Sequence, residues 1–262
     1  MSNVKYSFSL NGEEWGKPQL ERLEYERNLH ILHSMKEHGI DIKDGNKSLS
    51  NDDIDYLTTE KAWDVSINNR LEYTGQKIID IYKDSLAKSD EFWKKLAFSQ
   101  DKPMKVSQTI MKVSGVSLKE YMGMIKSLQT DDKIGLSAHP EHFVCSVTWD
   151  DGQLVGIEPF GMYGTPTLVE VKVVKDDKLG NQIKADKKAD YPLAMAGETF
   201  LASDGKTPVN VAFHQFKPTE DGFEAITAVY WPEHTPKEIV DGHSLHLAME
   251  FYGGLKLTGK LD

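Results

Sequence analysis

A single cysteine, Cys145, in 262 residues leaves no intramolecular disulfide to build a fold around. Its apolar neighbours Phe143, Val144 and Val147 read as a strand, which makes it a poor nucleophile even with His142 close in sequence. No run of about 18 apolar residues is present to span a membrane, and Met1-Ser2-Asn3-Val4-Lys5 is not followed by a signal-type apolar core. Positive charge is also short. The 31 Lys and Arg against 41 Asp and Glu give a formal charge of -10 and a pI near 5.4, which opposes nucleic acid or an anionic membrane as the main partner. Internal repeats and low-complexity segments are absent. The expectation is a soluble, cytoplasmic protein of one or two domains, long enough to bury a sizeable core.

The first third reads as helical and charged. A stripe of Leu20, Leu23, Leu29, Ile31, Leu32 and Met35 predicts a helix over 18–38, with Gly39 placed to stop it. Ser50-Asn51-Asp52-Asp53 caps a second helix running through 62, and a third is predicted over 71–98. His30, His33 and His38 on the first helix lack a completing carboxylate or cysteine, so they read as solvated or packing residues. After Gln100-Asp101-Lys102-Pro103 the period changes, and 104–113 alternates as a half-buried strand. Ser117 and Glu120 have capping-box spacing for a short helix to 128. Strands are predicted over 143–149, closed by the turn Asp150-Asp151-Gly152, and over 167–175, 208–216 and 223–231. Thr235-Pro236-Lys237-Glu238 opens a last helix over 235–254. Strands followed by one long helix predict an α+β fold, an antiparallel sheet curved around that helix with a cavity between them.

That helix carries His246-Leu247-Ala248-Met249-Glu250, two metal-type ligands one turn apart on a single face. Taken alone they are an ordinary i,i+4 pair, since zinc needs three protein ligands with an open position, or four when closed. Further candidates lie at element ends. His139 and His142 precede a strand, Glu170 stands in the apolar run Thr167-Leu168-Val169-Glu170-Val171, His214 in Val211-Ala212-Phe213-His214, and Glu224 opens the next strand. Lys172, two residues on, allows Glu170 a solvent-facing reading instead. Around a cavity helix the set composes a mixed nitrogen and oxygen zinc site.

From about residue 113 to 255 the chain resembles the 2,4-diacetylphloroglucinol hydrolase and phloretin hydrolase family of zinc-dependent carbon–carbon bond hydrolases. Five stretches carry the resemblance: Ser114-Gly115-Val116-Ser117, His139-Pro140-Glu141-His142, Tyr163-Gly164-Thr165-Pro166 leading to Glu170, His214-Gln215-Phe216 with Asp221-Gly222-Phe223-Glu224 and Tyr230-Trp231, and His246 through Phe251. The resemblance implies a Bet v 1-like, helix-grip catalytic domain over 101–262, with residues 1–100 as a helical extension or lid. It implies one zinc ion per chain on His139, Glu170, His246 and Glu250. Ala138 stands where the family has tryptophan, Phe223 where it has cysteine, and 122–126 lacks an aromatic pair. These departures concern the substrate more than the metal.

The implied reaction is hydrolytic removal of an acyl group from a phenolic, phloroglucinol-like ring. His142 or His214 would carry the proton, Glu224 would orient His214 or the substrate hydroxyls, and Tyr121, Tyr163 and Tyr230 would offer phenolic hydrogen bonds. The implied partner is a small aromatic ketone, with no nucleic acid and no membrane, and a homodimer is admitted as the assembly. The rival expectations are a helix-grip carrier that binds an apolar ligand without turnover, and an interaction module in which zinc is purely structural.

Overall fold

The structure is a computed structural model, and it describes residues 4–128, 131–148, 154–161 and 164–261. The chain opens with strands β1 (Lys5–Leu10) and β2 (Glu13–Trp15), then helix α1 (Lys17–Glu37) and a small ribbon of β3 (Lys43–Asp44) with β4 (Lys47–Ser48). Helices α2 (Asn51–Asp55), α3 (Thr59–Tyr73) and α4 (Gln76–Leu96) complete the first third. Strand β5 (Met104–Ser114) is followed by α5 (Leu118–Ser127), α6 (Asp132–Ala138), β6 (Val144–Thr148), β7 (Leu154–Pro159) and β8 (Pro166–Val173). Helix α7 (Asn181–Asp186), strands β9 (Leu193–Leu201), β10 (Pro208–Pro218) and β11 (Gly222–Pro232), and helix α8 (Lys237–Leu257) end the order.

Nine strands form one sheet in the order β2-β1-β5-β11-β10-β9-β8-β7-β6, and every neighbouring pair is antiparallel. This is the expected α+β class. Helix α8 lies against β5, β11 and β1 and is buried on most of its surface, as a helix enclosed on several sides must be. Side chains tie it to the sheet. Ser107 Oγ donates to the Val240 carbonyl at 2.6 Å, and Thr109 Oγ1 to the Ser244 carbonyl at 2.6 Å. The core between sheet and helix holds Phe8, Met111, Trp231, Leu247 and Phe251. A second core joins α1, α3 and α4 to Phe143, Val144 and Ile157, and a third, with Phe98, Ile183, Val211, Phe213 and Tyr230, covers the other side of the sheet. Among the described residues no helix is long and apolar enough to cross a membrane.

Several boundaries differ from the sequence expectation for local reasons. The helix expected over 50–62 is two, because Thr58 caps a new start by accepting from Lys61 N. The helix expected over 71–98 breaks at Gly75, whose φ of 70° lies in the left-handed region. The capping box of Ser117 and Glu120 forms as read. Strands β1 and β2 place residues 5–15 in the large sheet, ahead of the first helix. The turn at 150–152 lies outside the described residues.

Candidate metal centre

Helix α8 presents His246 to the end of α6 because a glycine lets these two helices meet, and a second lets α5 approach beside them. A Cβ on Gly253 would fall 1.8 Å from the Ala138 carbonyl oxygen, and one on Gly254 would meet Met124 and Tyr121. The chain leaving α6 therefore runs directly across α8, and it carries His139, Glu141 and His142. Arg70 of α3 holds this loop from outside, donating through Nη1 to the carbonyls of Leu136, His139 and His142 at 2.8, 2.9 and 2.8 Å. The result is a buried group, His139, His142 and His246, whose ligand-type atoms lie within 4.8 Å of one another and are close enough to hold a metal ion.

Three atoms converge most tightly. His142 Nε2 and His246 Nε2 are 3.2 Å apart, and Glu158 Oε2 of β7 is 2.8 Å from the first and 3.0 Å from the second. Ligands held about 2.0–2.2 Å from one divalent ion stand about 2.8–3.5 Å from each other, so this triangle already has the dimensions of one face of a coordination sphere. Burial raises the Glu158 carboxyl, but the two histidines more than offset this and hold it well below the usual carboxylate range. Burial likewise lowers His246, yet Glu158 and then Glu141 outweigh it and push the ring up to about 9. Without an ion, a proton on His246 balances the Glu158 charge. Glu250, one turn along α8, joins the same cavity, and its carboxyl is raised by burial.

His139 is differently disposed. Its Nδ1 accepts the Glu141 backbone N–H at 3.0 Å, which in a neutral ring places the proton on Nε2, so that bond must be given up before His139 serves as the third imidazole of the group. It stacks on His246 with ring centroids 3.8 Å apart. The expected ligand Glu170 is not brought to the group. Its neighbours Val169 and Val171 line the cavity, so strand alternation turns Glu170 to the other face, where Lys172 Nζ lies 2.5 Å from its carboxylate. Glu158 occupies the place expected of it. The same criterion, a carboxylate within an apolar run, selects Glu158 in Leu154-Val155-Gly156-Ile157-Glu158.

A cavity of about 270 Å³ opens from this cluster, walled by Leu128, Val144, Val155, Val169, Phe216 and Phe251, with His142, Glu158 and Glu250 as polar wall residues. His214 also lines it, edge-on to Phe251, and burial lowers its ring to about 4, so it is neutral at pH 7. Tyr121 is a wall residue whose hydroxyl donates to the Phe251 carbonyl at 3.2 Å. Two expected residues lie elsewhere. Tyr230 packs in the core on the other side of the sheet and donates to Asp186, and Glu224 accepts from the Tyr191 hydroxyl at 3.1 Å, away from the cavity. Adjacent strand positions face opposite ways, and these two take the outward side. Tyr163 lies outside the described residues. No protein-family model and no curated protein matches this chain.

Proposed function

We propose that this protein is a metal-dependent hydrolase that cleaves the carbon–carbon bond between an acyl group and a phenolic, phloroglucinol-like ring. The observation that carries the reading is the triangle of His142 Nε2, His246 Nε2 and Glu158 Oε2, two of whose members line an apolar cavity. With Glu250 the donor set is two imidazoles and two carboxylates, which suits zinc. A bound divalent ion supplies Lewis acidity at a carbonyl oxygen and lowers the pKa of water toward ~7.

The chain's own residues do the rest. The apolar wall excludes water and takes the ring face-on. A phenolic ring in its keto form makes the acyl substrate a β-diketone, so that cleavage leaves an enolate to be protonated on carbon. With His142 in the ligand triangle, His214 is the remaining neutral histidine on the wall, placed to accept a proton and return it. A small aromatic ketone, a helix-grip fold around α8 and a cytoplasmic location belong to the same reading. The catalytic unit is then 101–262, to which residues 1–100 contribute β1, β2 and two buried arginines.

The deciding assay follows release of free phenol and carboxylic acid from acylphloroglucinols and phloretin-like dihydrochalcones, with and without chelator. Chelator-sensitive release of both products supports the hydrolase. Retention of the intact ketone with chelator present, and no acid from any of them, makes the protein a carrier.

A further inference from the structure

Glu141 sits between the two histidines of the loop after α6, and its side chain is fully buried. A buried carboxylate needs a charge partner and hydrogen bonds for both oxygens. Arg27 of α1, itself 1 % exposed, donates through Nη1 to Oε1 at 3.0 Å. The second oxygen, Oε2, accepts no hydrogen bond among the described residues and faces His246 Nδ1 at 3.8 Å. Nδ1 of His246 likewise has no hydrogen-bond partner among the described residues. A buried donor and a buried acceptor thus point at each other, and a shift of about 1 Å would satisfy both.

We propose that Glu141, anchored by Arg27, is the positioning residue of the metal centre: its carboxylate accepts a hydrogen bond from the Nδ1–H of His246, which keeps the proton on that nitrogen and presents the Nε2 lone pair to the ion. This rests on the metal reading above and adds to it the residue that decides which histidine serves as a ligand. Glu141 acts on two stacked rings in opposite senses. Its backbone N–H occupies Nδ1 of His139, fixing that proton on Nε2, while its carboxylate fixes the His246 proton on Nδ1. One residue therefore makes one ring a ligand and its neighbour a packing surface. Because Arg27 belongs to α1, the first helix becomes part of the outer shell of the site.

The test uses the whole chain loaded with Co²⁺, the affinity measured by chelator competition and the coordinated imidazoles followed through their exchangeable Nδ1–H proton signals. Glu141→Gln should weaken Co²⁺ binding about 10–100-fold and should shift the His246 Nδ1–H signal and speed its exchange with solvent. Arg27→Lys, which keeps the charge but loses the planar fork, should change both in the same direction and by less. Equal Co²⁺ affinity in wild type and Glu141→Gln overturns the inference and leaves the metal reading standing. If Glu141→Gln does not fold, the wild-type spectrum decides: a His246 that coordinates through Nδ1 overturns the proposal, and one that shows a slowly exchanging Nδ1–H supports it. Wild-type protein that takes up no Co²⁺ or Zn²⁺ overturns the metal reading first, and this inference with it.

Discussion

His142 Nε2 and His246 Nε2 stand 3.2 Å apart although 104 residues separate them in the chain, and the same oxygen of Glu158 contacts both. Each ring nitrogen is also within hydrogen-bond reach of that oxygen, so either ring can donate to it. The trio can hold its charge with protons on the rings, or with lone pairs turned to a shared cation.

The two glutamates of neighbouring strands separate the alternatives for the ligand set. Glu158→Gln should lower zinc affinity by tenfold or more, because it removes the anionic corner of the triangle. Glu170→Gln should leave affinity within about twofold, since that carboxylate lies beside Lys172 on the other face. Elemental analysis after dialysis against a zinc buffer reads both.

Metal uptake should depend on pH through His246. Its ring is pushed up to about 9 in the metal-free protein, so a proton must leave before an ion binds. Affinity should rise about tenfold per pH unit between roughly pH 6.5 and 9 and level off above. The linked effect on folding has the opposite sense. A folded-state value above the unfolded one gives stability that is complete below about pH 6.5 and lost as pH rises through 9. Metal-free protein should therefore melt at progressively lower temperature across that window, and metal-loaded protein should not.

His214 should act in the other direction. Burial lowers its ring to about 4, so its contribution to stability is present above about pH 6.5 and lost as pH falls toward 4. His214→Phe should flatten that acid-side loss in thermal melts. The same variant should keep normal metal content while turnover drops roughly 10²-fold or more, the scale of a lost proton-transfer group.

Gly253→Ala tests the packing that delivers the loop. The added methyl would overlap the Ala138 carbonyl, which is backbone and cannot swing away. Overpacking of this kind costs about 1–3 kcal/mol. Denaturant unfolding should show it, and metal affinity should fall with it because His142 is displaced relative to His246. Gly123→Ala, where a Cβ meets nothing within 4 Å, is the matched control.

Much of the architecture was legible from local chemistry. The periodic stripe of α1, the capping box at Ser117, strand β5 and helix α8 all follow from patterns a few residues long. The site was legible in its residue types and in His246 and Glu250, which one helical turn brings together. It was not legible in which partner they meet. Glu158 and Glu170 occupy similar apolar runs, and only the parity of each strand position decides which enters the cavity. His139 and His142 differ by a hydrogen bond to backbone that no spacing reveals. Strands β7 and β9 and helix α6 carry too little periodicity to be found alone, and tertiary contacts with longer neighbours hold them.

The wide spacing of the residues that assemble this centre bears on how the protein is made. Arg27 and Arg70 emerge early, the loop with Glu141 and His142 at mid-chain, and His246 only with the helix that follows every strand. Nothing short of that helix can complete the triangle, so a chain that has not yet made it has no place for the ion to settle. The arginine-bound loop can form first and wait, a non-local closure of the kind that slows folding. Capture of the ion would then follow the docking of that helix, and a shortage of metal would leave a folded shell around an unclosed site.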